Sequence, residues 1–263
     1  MRMALENSKK HWRYEFMRPA DLREAVQTLP VAWLVLSPLE WHGEALSFGC
    51  DPAIGQKTCE RAWELAGGVL IPTLYIGTGT NYKTFEPDKG LTDYWEMEII
   101  SHERHPGSLF VRPITLELVL RDYLHFLQRE GFKLCVVVTG HGAIEHLQVI
   151  DEVCESYNHL YSTGKGCLNT YFWKGANGPI PEELLFPGAG GHADFNEASL
   201  LGGVNPDLVD KSRFATGSGD RKIGLSSENT GKIDFDKGRK CVEFSAEQLA
   251  GKVRDLVREM KIG

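Results

Sequence analysis

The chain has 263 residues, 29 Lys and Arg against 36 Asp and Glu, and a formal net charge of −7, long enough to bury the core of one α/β domain spanning 1–263, with no Pro/Ser-rich linker to divide it. Its basic residues are scattered and offer no stripe to phosphates, which argues against nucleic acid as a partner. No run reaches the ~18 apolar residues of a membrane span and the N-terminal MRMALENSKKHWRYEF lacks the apolar stretch of a signal peptide, so no membrane partner is expected and the expected compartment is the cytoplasm.

The first apolar run, Val31–Leu36, is aliphatic on both faces, as in a parallel strand covered from both sides. It leads into Glu40-Trp-His42-Gly43, then Gly49-Cys50-Asp51. Asp51–Ala66 has helical spacing, with a Gly67-Gly68 stop, and Gly68–Ile71 is a second strand. Residues 77–113 break the rhythm, rich in Gly, Thr, aromatics and charge, as a functional loop or interface arm would be. Helical spacing returns over Thr115–Glu130, followed by the strand Leu134–Val138 and the turn Thr139-Gly-His141-Gly142. A second irregular stretch, 174–191, ends in glycines and opens onto His192-Ala-Asp194-Phe-Asn-Glu197-Ala-Ser199, where Asp194 or Asn196 suits a helix start. Ser245–Met260 is amphipathic, with Ser245 as its expected cap. Strands alternating with helices of this length predict a layered α/β domain.

Three polar clusters stand at element ends. Glu40 and His42, two apart in extended backbone, can face one point, and Gly43 and Gly49 let the chain bring Asp51 back to it. Two carboxylates and an imidazole are ligands for zinc, manganese or iron. The plain alternative is a solvated Glu40, a packed His42 and an Asp51 that only caps a helix. His141, in a glycine turn after a strand, lies where open α/β sheets bind ligands. Glu197 falls in a first helical turn, where the dipole favours a carboxylate, or is merely half of a capping arrangement, with His192 a loop histidine. His102, His105, His146 and His159 read as surface residues, and Tyr94–Met97 as a subunit contact rather than a pocket lining. The six cysteines show no C-x-x-C pair and read as reduced, with Cys50 the one near candidate chemistry. Gly77-Thr-Gly79 lacks the remaining glycines of a dinucleotide loop.

Together these motifs resemble the creatininase (creatinine amidohydrolase) family, in the Glu40-Trp-His42-Gly43 element, Asp51, Gly140-His141-Gly142 and the closing His192 to Ser199 stretch. His105-Pro-Gly-Ser-Leu109 with Thr115-Leu-Glu117, and Glu130-Gly-Phe-Lys133, extend the likeness, which runs from about residue 30 to 203. The resemblance implies a three-layer α/β/α sandwich with a mostly parallel central sheet, and a homo-oligomer, often a hexamer. It also implies two divalent ions (Zn, Mn or Fe): Glu40 and His141 on one, His42 on the other, Asp51 between them. The glutamate that creatininases place two residues after the Gly-His histidine is Ala143 here, so Glu197 is the candidate to supply the missing charge, with Glu145 second. The tryptophan expected four residues before His192 is Gly188, for which Trp173 is a candidate substitute, and Ile144 replaces a frequent Asn.

This pattern predicts a metal-dependent hydrolase that opens a small polar cyclic substrate. Ions sharing Asp51, roughly 3.5–4 Å apart, would give hydroxide at neutral pH to attack a carbonyl. Glu197 would ligate or move the proton, and His192 would hydrogen-bond the carbonyl or leaving group. A cyclic amide is the default substrate. Glu-Trp-His-Gly also resembles relatives that cleave a carbon–carbon bond in a cyclic diketone such as 3-dehydro-scyllo-inosose, a rival strengthened by Gly188. A non-catalytic binding or assembly protein is the third reading, opposed by the complete set Glu40, His42, Asp51, His141 and Glu197.

Overall fold

A computed structural model describes residues 12–79, 107–161, 167–173, 180–189, 192–214 and 229–262. Tyr94–Met97, His102 and His105 lie outside the described residues. The strands are β1 (Trp12–Arg13), β2 (Val31–Val35), β3 (Val69–Leu70), β4 (Leu134–Val138) and β5 (Asn169–Trp173). The helices are α1 (Pro19–Thr28), α2 (Cys50–Ala66), α3 (Pro113–Arg129), α4 (Ile144–Tyr161), α5 (Phe195–Val204) and α6 (Phe235–Met260). Among the described residues no helix is long and apolar enough to cross a membrane.

The sheet runs β1-β3-β2-β4-β5, every pairing parallel. β2 and β4 are buried at every position, which is why they carry aliphatic residues on both faces. Alternation sends Ala32, Leu34, Cys135 and Val137 to one core with α1, α3 and α4, and Val31, Trp33, Val35, Val136 and Val138 to a second with α2 and α6. This is the expected α/β/α sandwich. All six cysteines are unpaired.

After β2 the chain crosses to β3 on one side, and later to β4 on the other. The C-terminal ends of β2 and β4 therefore flank a topological switch point, where connections diverge and leave a crevice. The residues after both strands carry the polar clusters.

The C-terminal helix corrects the sequence expectation: α6 begins at Phe235, ten residues before Ser245, with the Asp234 side chain accepting the Lys237 N–H as its cap. Its first turns lack a broad apolar stripe because they pack backbone to backbone on α5. A Cβ at Gly238 would sit 1.8 Å from the Ser199 carbonyl oxygen, and one at Gly203 2.3 Å from the Arg239 nitrogen. Apolar periodicity cannot report a contact made by glycines. Strand β5 also went unpredicted, though its NTYFW is β-branched and aromatic.

Candidate metal centre

Asp51 lies in the first turn of α2, where the helix dipole favours a carboxylate. Its two oxygens point to different histidines: Oδ1 is 3.1 Å from His42 Nε2, and Oδ2 is 2.7 Å from His141 Nδ1. Glu40 Oε2 approaches the same His141 nitrogen at 3.0 Å. Glu40, His42, Asp51 and His141 are only 2–4% exposed.

Each imidazole is oriented from behind. His42 Nδ1 lies 3.0 Å from the Glu40 carbonyl oxygen and His141 Nε2 lies 2.9 Å from the Thr78 carbonyl oxygen. A carbonyl only accepts, so these nitrogens donate, leaving His42 Nε2 and His141 Nδ1 to face the carboxylates. A neutral imidazole would then aim a lone pair at carboxylate oxygens. The contact is attractive only if a proton or a cation stands between, and imidazoles held this way are the usual arrangement around a metal.

The titration behaviour carries the same message. Burial works to lower the His141 pKa, but hydrogen bonds to Asp51 and Glu40 override it and raise the value to about 10. His42 is likewise raised against burial, by Cys50 and Asp51. Burial disfavours the Asp51 carboxylate, yet the hydrogen bonds with His141 and His42 hold it well below the usual range. The donor set therefore fits divalent ions: where the metal-free cluster would need protons, cations could sit.

Glycine makes this convergence possible. A Cβ at Gly140 would lie 2.0 Å from the Asp51 carbonyl oxygen, and one at Gly55 2.7 Å from the Gly140 nitrogen, so the turn after β4 packs directly on the first turns of α2. Thr139 organises the turn. Its Oγ1 is 3.0 Å from Ser37 Oγ, 3.0 Å from His146 Nε2, and accepts the His141 N–H at 3.1 Å.

His146 overturns its assignment as a surface residue. It is fully buried, and burial followed by repulsion from His141 lowers its pKa to about 3. It therefore stays neutral, with Nδ1 accepting the Thr78 N–H at 3.4 Å. The first turn of α4 folds back over the end of β4 and covers it. His159 is exposed, as expected. Ser37, Thr78, Thr139 and His146 had no signal of their own in the sequence, although all but Thr78 lie within five residues of a strand end or of His141.

The third cluster closes the opposite side. Asp194 caps α5 by accepting the Phe195 N–H, and Glu197 falls in the first turn. Ala193 adopts φ 58°, a left-handed conformation uncommon for a residue with a Cβ, and donates its N–H to Glu197 Oε2 at 2.5 Å. That oxygen lies 3.8 Å from His42 Nε2, with 26% of the Glu197 side chain exposed. Burial, followed by repulsion from Asp51 and Glu40 and partly offset by His42, raises the Glu197 pKa to about 7. His192 stacks at 4.3 Å between ring centroids on His42. Its Nε2 donates to the Trp41 carbonyl at 2.5 Å, and Nδ1 faces Glu40 at 4.0 Å.

A cavity of about 220 Å³ adjoins His141, lined by Gly55, Thr58, Gly140, Gly142, Leu147 and Trp173 among others. It is smaller than the ~300–1,000 Å³ clefts of drug-sized ligands. Trp173 is buried as one of its walls. At Gly188, where φ is +78°, an added Cβ would meet open space. Glu145 sits in the first turn of α4, outside the groups whose ligand atoms converge.

Buried His, Asp and Glu side chains converge at the switch point of a parallel sheet as a candidate metal centre, the kind that metal-dependent hydrolases use. The family model described as creatinine amidohydrolase matches residues 15–240, and the chain belongs to the creatininase family. Solved structures agree in fold. A creatinine amidohydrolase is 18% identical, with a TM-score of 0.69 over 93% of this chain and 97% of that one. A creatininase described with Mn is 18% identical, with a TM-score of 0.68 over 94% and 98%. A mutant creatininase of Zn-Zn type is 19% identical, with a TM-score of 0.67 over 94% and 98%. No curated protein matches the sequence.

Proposed function

We propose that this protein is a metal-dependent hydrolase that opens a small polar cyclic substrate at a carbonyl, with a cyclic amide as the leading substrate class. The observation that carries the reading is Asp51, whose two oxygens serve His42 and His141 separately. Glu40, Asp51 and His141 would hold one divalent ion, and His42 with Asp51 the other, with Glu197 at its side. When bound, such ions acidify water and polarise a carbonyl oxygen.

The chain's own groups do the rest. Glu197, partly open to solvent and anchored by the Ala193 N–H, would take the proton from attacking water and return it to the leaving atom. His192, oriented by the Trp41 carbonyl, is placed to steady the carbonyl or the departing group.

One observation favours a second reading, hydrolysis of a carbon–carbon bond in a cyclic diketone. Gly188 puts no side chain where creatininases carry an aromatic lid, so a flat ring held by stacking lacks that partner. The test is to incubate metal-loaded protein separately with creatinine and with a diketo-inositol. Ring opening of either, lost in His42→Ala together with bound metal, supports the hydrolase. Full activity in His42→Ala with unchanged metal content would reject it.

A further inference from the structure

The two triads that converge on Asp51 are unequal in chemistry. The ligand atoms of Glu40, Asp51 and His141 all lie within 4.8 Å of one another, and so do those of His42, Cys50 and Asp51, a spacing one ion can span. The first triad offers nitrogen and oxygen alone. The second adds sulfur. We infer that Cys50 is a thiolate ligand of the ion position on the His42 side, replacing the carboxylate lost at Ala143 and biasing that position towards zinc over manganese.

Several observations support it. Cys50 and Asp51 are adjacent in the first turn of α2, and although neighbours on a helix diverge, their ligand atoms and that of His42 lie within 4.8 Å of one another. Cys50 is fully buried, as is the His42 side chain. Ala143 is also buried, and its methyl cannot ligate. Cys50 packs in an apolar cluster with Leu46, Phe195 and Leu201, as Cys59, Cys135 and Cys154 do in the two cores flanking the sheet, but of these four it alone joins a converging group. A soft thiolate beside an imidazole and a carboxylate suits zinc, whereas manganese prefers oxygen donors. Ligation forms a sulfur–metal bond and releases the thiol proton to solvent. With Cys50 in this role, Glu197 remains available to move a proton.

This inference rests on the two-ion reading, and cobalt(II) separates the two. The full chain, stripped by chelator and reloaded with cobalt, should bind two ions. It should also show a thiolate-to-cobalt charge-transfer band in the near ultraviolet. Cys50→Ser should lose the band and release one ion far more readily, and zinc's advantage over manganese in competition should shrink. Cys50→Ala is the second variant, should the serine fold poorly. Two bound cobalt ions without the band, or a band that survives in Cys50→Ser, would overturn the ligand assignment and leave the two-ion centre standing. No bound cobalt would overturn both.

Discussion

The two halves of the site are built differently. The half formed by Glu40, His42, Asp51 and His141 is sealed at 2–4% exposure, and its imidazoles are fixed by backbone carbonyls and glycine contacts. The half formed by His192 and Glu197 keeps 22% and 26% of its side-chain surface exposed and hangs on a left-handed Ala193. Rigid, buried donors suit ions, which demand fixed distances. Partly open groups on a loop suit a substrate that must enter and leave. On the proposed function, the difference divides metal holding in one half from proton transfer and substrate contact in the other.

Substitutions can break this division. The largest effect is expected for Asp51→Ala, which removes the shared carboxylate: bound metal should disappear and turnover fall about 10³-fold or more, the several kcal/mol an ion contributes. Equal metal content and turnover would end the assignment. Glu197→Gln should instead lower kcat by about 10²- to 10⁴-fold, the range for a positioned acid–base group, while metal content holds. Loss of metal in that variant would move Glu197 to the ion-holding half. Gly140→Ala drives a methyl towards the Asp51 carbonyl and should cost about 3 kcal/mol, read as a lowered Tm with weaker metal binding.

A smaller effect comes from pH, in chelator-treated protein. The folded-state pKa of His141 is raised from 6.5 to about 10, so its contribution to stability is complete below pH 6.5 and is lost as pH rises towards 10. Glu197, raised from 4.5 to about 7, lowers stability in the same direction between those values. The Tm of metal-free protein should fall as pH rises from 6.5 to about 10, and metal should abolish the fall by replacing protons. A metal-free Tm that climbs over that range would contradict the cluster's electrostatics.

Much of the fold was legible because two-sided burial writes itself as aliphatic runs. Leu134–Val138 was predicted to the residue, and Val31–Leu36 overran by one. The first half of α6 was not legible, since Gly203 and Gly238 make its contact without apolar side chains. At the site, Glu40, His42, Asp51, His141, His192 and Glu197 were all nominated, and the structure brings them together. His146 was misassigned because a histidine in a first helical turn carries no mark of the strand end it covers, and burial there is a tertiary fact. Cys50 was noticed only as a neighbour in sequence. Its convergence with His42 depends on how Gly49 starts α2, which periodicity does not encode.

The shared carboxylate is the centre of the account, and metal stoichiometry tests it most directly. Protein purified without chelator should carry two divalent ions per chain by elemental analysis, and Asp51→Ala purified in parallel should retain neither. Two ions retained in Asp51→Ala, or none in the wild-type chain, would contradict it.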